Sequence, residues 1–387
     1  DINGFEGLVR YANEQYAGAA AWYPYLKMHN ITISTGDDYT NQWNALNMFV
    51  RYHILRMKMA SDQLVFEDNG QKSNYSNGSW NYYNYCNEGE PFDYYETMLP
   101  NTMMKIWRPG KNGRTLYINR WVRNNTLTDE VGTRGSDAMH PVQSSGVVID
   151  RNNGMQALNG YVHPIKSVLV YDQNVPNGVL HERMRVDATT FIPEFINNGI
   201  RYKCMKEVGD DNGGGSGGRI AFPLDYFENV KSYTSKNFFR YNVHGAYRLW
   251  QSDSFQGWGQ YDLAIKLPHV PTDGVYELRF YYACASHMGF VQFFIGESPN
   301  IQDMKALDIP LDMRIDFTDP RIGWTPFYEE EDQGIASDKA MRTRGYMRGP
   351  ASFYGHPETN TPDMESQNTR GESAVQDLRK ILGRVEM

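Results

Sequence analysis

Cysteine, long apolar runs and blocks of basic residues are all scarce in this sequence. Its three cysteines (Cys86, Cys204 and Cys284) lie far apart and form no CxxC pair, which excludes zinc-ribbon and thioredoxin-like sites. One disulfide with a free thiol and three buried thiols both fit this count, and we expect buried thiols because free cysteine is usually buried. The redox compartment therefore stays open.

The lack of an apolar run and of a basic block excludes two further classes. No segment reaches the roughly 18 apolar residues that a membrane-spanning helix needs. Lysine and arginine form no consecutive block, and the formal net charge is -8. This argues against nucleic acid as a partner, because phosphate binding requires a concentrated basic surface. The sequence also shows no signal peptide and begins at Asp1 rather than at Met. We therefore expect any export signal or lipid-bearing cysteine to lie upstream of this chain.

Aromatic residues, by contrast, are abundant: 27 Tyr, 18 Phe and 8 Trp among 387 residues. They favour β-structure and supply flat, amphipathic contact surfaces. A chain of this length predicts two domains. The Gly-rich segment 206–218 is typical of a linker between them, with a surface loop of the second domain as the alternative. We predict an α+β fold that is mostly β, with domains at 1–205 and 219–387.

Local patterns place the elements of the first half. Apolar spacing predicts helices from Phe5 to Tyr16 and from Leu46 to His53. Segment 67–95, rich in Asn, Gly, Ser and Tyr, predicts a long loop. Strands are predicted at 102–107 and 116–122, joined by a turn at 109–113, and at 147–150 and 168–171. Segment 186–199 predicts a helix with Thr189 or Thr190 as N-cap and Pro193 in its first turn.

Asn159 and Gly160 form a turn signal that precedes a β-branched run containing His163. This pattern predicts a tight turn followed by a buried strand. The same residues resemble the closing motif of fasciclin domains. Segment 44–55 (NALNMFVRYHIL), which ends in Tyr52 and His53, resembles the fasciclin helix.

The resemblance implies that residues 1–205 form a fasciclin-like α/β domain, a module of adhesion and interaction. The strand that opens a fasciclin domain has no counterpart before Asp1. Within such a domain we expect His53 and His163 to make half-buried hydrogen bonds that hold helix to strand. Tyr52 and His53 lie in a region that the family links with cell adhesion.

The second half shows short alternating strands at 261–267, 276–282 and 290–295, punctuated by Gly and Pro. This pattern predicts a β-sandwich or jelly roll. Segments 260–268, 274–280, 308–312 and 337–350 resemble the galactose-binding-like sandwich that follows fasciclin domains in surface lipoproteins of SusC/SusD-type glycan import systems. We expect 378–385 to lead into final strands that the sequence lacks, which would leave an exposed sheet edge.

Mixed aromatic and polar residues mark two candidate sugar-contacting segments, because sugars stack on aromatic rings while their hydroxyl groups bond to polar side chains. An alternative for each aromatic residue is a place over the core or in a protein interface. The candidates are Trp250, Asp253, Trp258 and Tyr261 in one segment, and Trp80, Tyr82 and Tyr83 in the other.

Acidic residues give no catalytic signature. Glu88, Glu90, Asp93 and Glu96 lie beside the aromatic loop, and residues 329–332 form an acidic run, but such runs usually mark a solvated surface. The histidines show no HExxH spacing. We expect no cofactor and no metal, with a structural calcium ion at Asp308, Asp312, Asp316 and Asp319 as the alternative.

Together these observations predict a non-catalytic recognition protein. The resemblance implies a lipid anchor, an outer-membrane cell-surface location and a SusC/SusD-like complex as partner, with an oligo- or polysaccharide as ligand. Two other functions stay open: an adhesion or scaffold protein that binds another protein, and a glycan-cleaving enzyme.

Overall fold

The described part of the chain has mixed α and β structure, with 23% helix and 29% strand in several small antiparallel sheets. A computed structural model describes residues 3–65, 92–108, 115–121, 144–181, 184, 192–198, 219–223, 225–234, 237–242, 254–284, 286–325, 331–348 and 377–387. Only the backbone is described for residues 92, 219–222, 237–242, 254–258, 283, 331–335, 348 and 377. The described residues divide into two compact units. The first holds 3–65, the described part of 92–198 and Leu267–Asp273; the second holds the described parts of 219–266 and 274–387.

Three helices open the first unit: α1 (Gly4–Tyr16), α2 (Pro24–Met28) and α3 (Ala45–Tyr52). The predicted helices are confirmed as α1 and α3. Asn44 begins α3 by accepting a hydrogen bond on its side chain from the Leu46 N–H, which satisfies a donor that the helix itself leaves unpaired. The apolar spacing predicted burial less reliably than it predicted the helices, since Phe5 and Val50 are exposed.

A four-stranded antiparallel sheet follows, in the order β1 (Phe92–Glu96), β2 (Met103–Trp107), β3 (Leu116–Ile118) and β4 (Val147–Ile149). The predicted hairpin is confirmed, because Trp107 pairs with Tyr117. Two predictions need correction. Strand β3 ends four residues before the predicted end, and β1 begins within the segment 67–95 that was predicted as a loop. Tyr94 and Tyr95 of β1 are both buried in the core of this unit.

The turn at Asn159 and Gly160 is confirmed in part. Strands β5 (Met155–Gln156) and β6 (Tyr161–Val162) pair with Gln156 opposite Tyr161, so the loop has four residues and the Asn-Gly pair occupies its second half. The prediction of a buried strand here was wrong, since Val162 is 50% exposed. A hairpin of two-residue strands offers too little surface to bury.

Segment 168–171 was wrongly predicted as a strand. Leu169 and Tyr171 are buried in the first core, which explains the alternating pattern, but the segment joins no strand in the described part of the chain. A π-helical turn, Val175–Val179, follows it. Helix α4 spans only Pro193–Asn197, within the predicted 186–199. It begins at Pro193 because this residue needs no N–H partner at the first helical position. Thr189 and Thr190 lie outside the described residues.

The second unit is built from four small antiparallel sheets in its described residues. Their strands are β7 (Arg219–Phe222), β8 (Val230–Ser232), β9 (Asn237–Asn242), β10 (Ser254–Gly259), β11 (Leu263–Ile265), β12 (Val275–Ala283), β13 (Phe290–Ile295), β14 (Lys305–Asp312), β15 (Tyr346–Arg348) and β16 (Asp377–Glu386). The sheet orders are β10-β9-β7, β11-β8, β12-β16-β15 and β13-β14. Strand β13 has the predicted bounds, β11 is shorter than predicted and β12 is longer.

The segment expected to lead into further strands forms a strand itself. Strand β16 lies between β12 and β15, pairs with both, and carries a bulge opposite Leu278 and Arg279. Helix α5 (Glu331–Thr343) packs beside β15. The core of this unit contains Met341 of α5, Leu378 of β16 and the buried thiol of Cys284. Cys86 and Cys204 lie outside the described residues.

The predicted linker at 206–218 also lies outside the described residues. Among the helices that the structure describes, none has the length and apolar character needed to cross a bilayer.

Candidate ligand-binding surface

Most of the residues predicted to contact sugar cannot be placed. Trp80, Tyr82, Tyr83, Trp250 and Asp253 lie outside the described residues, and of Trp258 only the backbone is described, in β10 opposite Phe238. Tyr261 follows β10 at the surface of the second unit, with 38% of its area exposed. Partial burial raises the pKa of its phenol above the ordinary value.

A second exposed tyrosine, Tyr233, lies near this segment. Its backbone N–H donates to the carbonyl of Asp262 at 2.8 Å, which extends the ladder that pairs Ser232 of β8 with Leu263 of β11. Its side chain is 42% exposed. Tyr233 therefore lies beside Asp262, the residue that follows Tyr261, which was predicted to contact sugar.

The hydroxyl of Tyr233 is hydrogen-bonded, and a lysine ammonium lies near the face of its ring. The phenol hydroxyl donates to the carbonyl of Pro299, and the ammonium of Lys231 lies 5.4 Å from the ring centroid. Lys231 and Asp262 are both exposed. We call Lys231, Tyr233 and Asp262 the Tyr233 surface: an anchored aromatic ring, a cation near its face, and an exposed aspartate that is bonded to Tyr233 through the backbone.

Sequence reasoning missed Tyr233 because its signal is weak. The strand before it has three residues, and the polar neighbours Ser232 and Thr234 give no clear alternation. The one feature that could have indicated Tyr233 is an aromatic residue between two polar residues at the end of a strand. Its proximity to Asp262 depends on a pairing across 29 positions that neither segment encodes by itself.

The fasciclin-like motif residues lie within the first unit, where they make internal contacts. Tyr52 is fully buried, and its hydroxyl donates to the Met103 carbonyl at 3.1 Å. The Nδ1 of His53 bonds to the carbonyl of Phe49 in its own helix at 2.8 Å. The expectation that His53 ties helix to strand is therefore wrong: its bond closes the last turn of α3. Burial lowers the pKa of His53, although the bond to Phe49 opposes this shift.

His163 does connect distant segments. Its Nε2 bonds to the carbonyl of Met59 at 2.9 Å, across 104 residues, and so joins the chain after β6 to the chain after α3. Asn159, in the preceding loop, is exposed, and a Cβ at Gly160 would meet nothing within 4 Å. The loop itself is therefore not tightly packed.

Four aspartates were considered as calcium ligands, and each has its own partner. Asp308 pairs with Lys380 at 2.8 Å, while Asp312 and Asp319 each bind an arginine through both oxygens, at 2.8 to 2.9 Å. Asp316 accepts from the backbone and hydroxyl of Thr318. Among the residues that the structure describes, these carboxylates form no group suited to a metal ion.

The arginine partners keep these carboxylates ionised. Hydrogen bonds from Arg321 lower the pKa of Asp319 to about 2, and hydrogen bonds from Arg314 lower the pKa of Asp312. A general acid needs the opposite shift, towards neutrality. These two residues are therefore poorly suited to protonate a leaving group.

Of the acidic residues weighed as a catalytic pair, Asp93 and Glu96 can be placed. Asp93 is fully buried, and Glu96 accepts a hydrogen bond from the His269 backbone N–H at 3.1 Å. They are three residues apart on β1, so their side chains project to opposite faces of the strand. Two carboxylates so placed do not flank one glycosidic bond. Glu88, Glu90, Glu329 and Glu330 lie outside the described residues.

An open groove of about 690 Å³ lies along α1. Phe5 and Tyr39 meet there edge to face, with ring centroids 5.3 Å apart. The groove walls also carry three carboxylates and one guanidinium, from Glu6, Glu14, Asp37 and Arg10. This is a predominantly acidic surface, unlike the Tyr233 surface with its adjacent lysine.

In comparisons with known proteins, no family model, no curated protein and no solved structure matches this chain.

Proposed function

We propose that this chain is a non-catalytic recognition protein whose second unit binds glycans. The observation that carries the proposal is the Tyr233 surface. Its ring is fixed by the ladder to Asp262 and by the hydroxyl bond to Pro299, while its area remains accessible. An ordered ring loses little conformational freedom when a ligand stacks on it.

The neighbours of the ring suit a sugar. A pyranose presents a flat C–H face to an aromatic ring and hydroxyl groups at its rim. The Lys231 ammonium can donate to such hydroxyls, and the Asp262 carboxylate can accept from them. Tyr261, one residue before Asp262, offers a further exposed phenol on the adjacent segment.

The described carboxylates support recognition over hydrolysis. Asp312 and Asp319 are paired with arginines and have lowered pKa values, and Asp93 and Glu96 project to opposite faces of one strand. A glycosidase requires two acids across one cleft, one of them with a raised pKa. Asp312 and Asp319 have the opposite pKa shift, and Asp93 and Glu96 do not face one cleft.

A glycan array probed with the full chain tests the proposal directly. Tyr233→Ala should weaken binding to any glycan that the wild type retains, roughly tenfold for the loss of one stacking ring. Tyr226→Ala is the matched control, because Tyr226 is 40% exposed in the same unit and lies outside the Tyr233 surface. Equal losses in both variants, or no loss in Tyr233→Ala, would contradict the assignment.

The wider setting is proposed from the sequence resemblance: a fasciclin-like first domain, a galactose-binding-like sandwich, a lipid anchor upstream and a place at the outer-membrane surface beside a SusC/SusD-type transporter. Two modest sites on one chain would raise the effective concentration of a repeating polymer. Purification of the full-length protein from detergent-solubilised native membrane, with mass spectrometry, tests this setting. Stoichiometric recovery of a SusC/SusD-like pair is expected, and its absence would contradict the transport role.

An adhesion or scaffold protein is the second candidate, favoured by one observation. Strand β12 has nine residues and lies at an edge of its sheet among the described strands. A long edge strand is a docking site for an added strand of a partner. Recovery of a different surface protein in the same purification, with no glycan binding on the array, would favour this candidate.

A further inference from the structure

One carboxylate in the second unit faces three guanidinium groups. Glu277 of β12 lies 2.6 Å from Nη2 of Arg279, 3.1 Å from Nη2 of Arg342 and 3.9 Å from Nε of Arg384. The Arg279 Nε also donates to Glu277 at 2.7 Å. We call Arg279, Arg342 and Arg384 the arginine cluster.

Three different parts of the chain supply this cluster. Arg384 of β16 lies directly opposite Glu277, and Arg279 is two residues along the same strand, so both share a face with Glu277. Arg342 lies in the last turn of α5 and reaches Glu277 from 65 residues away. The opposite face of β12 carries Phe280 and Tyr282, which pack in the core. The cluster therefore lies on the face of the sheet that points away from that core.

Positive charge exceeds negative charge at this position. Three arginines and one glutamate leave a surplus of two positive charges, in a chain whose formal net charge is -8. Glu386, on the same strand as Arg384, is a further exposed carboxylate of this region. It makes no ion pair with Arg384 within 4 Å in the described part of the chain. Glu277 thus serves as the shared counter-ion of the cluster.

Hydrogen-bond donors of the cluster also exceed its acceptors. The buried Nη1 of Arg279 has no hydrogen-bond partner. The 3.9 Å separation of Arg384 from Glu277 is an ion pair too long for a hydrogen bond. The side chains of Arg342 and Arg384 are 48% and 72% exposed. Guanidinium forks with free N–H groups are suited to planar and tetrahedral oxyanions.

We propose that the arginine cluster is an anion subsite that binds the carboxylate or sulfate groups of an acidic glycan. This inference rests on the proposed function and names the class of glycan. Three guanidiniums suit one or two anionic groups of a sugar chain. Nucleic acid is less suited, because affinity for an extended phosphate backbone comes from neutralising many phosphates with lysine and arginine.

Binding to polygalacturonate, dextran sulfate and uncharged dextran, measured by affinity electrophoresis with the full chain, tests the inference. The double variant Arg342→Ala/Arg384→Ala removes the two exposed guanidiniums and leaves Arg279, whose side chain is 21% exposed. We expect roughly tenfold or greater weakening towards the anionic polymers. Arg321→Ala is the matched control: it also removes an exposed arginine of this unit, but one whose fork is already bound to Asp319. Equal retention of both anionic polymers by the double variant and this control would overturn the inference.

The two anionic polymers distinguish the two sources of charge. Preference for polygalacturonate identifies a uronate and preference for dextran sulfate identifies a sulfated sugar, and both support the inference. A single-stranded DNA oligonucleotide that binds more tightly than both polymers would overturn the assignment to glycans.

Glu277→Gln separates an anion subsite from a purely structural ion network. The substitution removes the internal counter-ion, so inorganic sulfate should raise the Tm of this variant more than that of Arg321→Ala at the same concentration. A comparison at equal concentration also removes the general stabilisation by sulfate. Equal shifts in the two variants would overturn the inference. Sulfate-specific stabilisation without binding to any glycan would sustain the anion subsite and contradict the proposed function.

Discussion

The hydroxyl of Tyr52 accepts a hydrogen bond from the side-chain amide of Asn119 at 2.7 Å, across 67 residues of chain. Both residues are buried in the first unit. Asn119 also accepts a bond from the backbone N–H of Lys105 at 3.1 Å, and its backbone has a positive φ of 53°. Asparagine tolerates this conformation better than most residues. The pair thus joins helix α3 to the end of β3.

Tyr52→Phe should destabilise the first unit by about 1–3 kcal/mol, because it leaves a buried amide donor and the Met103 carbonyl without their partner. Asn119→Ala should cost more, since it also removes the bond to Lys105 and puts alanine at a positive φ that asparagine tolerates better. Asn119→Gly, which removes the same bonds but relieves the φ strain, should lie between the two. Urea unfolding of the three variants measures this order, and equal values for Asn119→Ala and Asn119→Gly would contradict the role of the backbone conformation.

The folded state should lose stability as the pH decreases, because His53 becomes protonated. Burial lowers its pKa in the folded state, so the stability is fully present above the unfolded value of about 6.5 and is lost as the pH falls from there towards the folded pKa. In His53→Gln, whose amide can still donate to Phe49, the Tm should decrease less between about pH 7.5 and 5.5. The two proteins differ at residue 53 alone, so the difference between their curves isolates His53. Parallel Tm curves would show that His53 does not contribute.

Gly146 is expected to tolerate no side chain. Its φ is +71°, and a Cβ would lie 2.6 Å from the Cβ and 2.8 Å from the Cα of Arg120, so the backbone itself would have to move. Gly146→Ala should cost about 1–3 kcal/mol or more. Gly36→Ala is the control, since its Cβ would meet only the Ser34 hydroxyl, at 3.8 Å. Similar unfolding midpoints for both variants would contradict the close approach.

Lys380 and Asp308 should be energetically coupled. The Lys380 ammonium lies 2.8 Å from Asp308 and 4.9 Å from the centroid of Tyr346, and its side chain is 10% exposed. Because Asp308 is more accessible, we expect a coupling of about 1–2 kcal/mol rather than that of a fully buried pair. A double-mutant cycle with Lys380→Met and Asp308→Asn measures it. Additive effects of the two substitutions would contradict the coupling.

Local periodicity was sufficient for elements whose partners are close in sequence. Helices α1 and α3 and the β2–β3 hairpin were predicted from spacing and turn residues, since the contacts that form them lie within a few positions. The same reasoning failed at 168–171: Leu169 and Tyr171 alternate as in a strand and are buried as in a strand, but no neighbouring strand completes a ladder among the described residues.

The candidate surfaces were predicted even less completely. Tyr261 was found because aromatic and polar residues are mixed around it, whereas Tyr233 became evident only through its bond to Asp262. The arginine cluster gave no signal, because Glu277, Arg342 and Arg384 are separated by 65 and 42 positions and each is unremarkable in its own segment.

The sequence by itself determined that this chain has aromatic-rich β-structure, an excess of negative charge and helices near its start, because composition and short-range period depend on neighbouring residues alone. Tertiary structure decided which strands pair, that β16 is the central strand of its sheet, and which arginines surround Glu277. Those outcomes depend on pairings between distant segments, where many registers satisfy the local pattern and only the packing of the whole unit selects one.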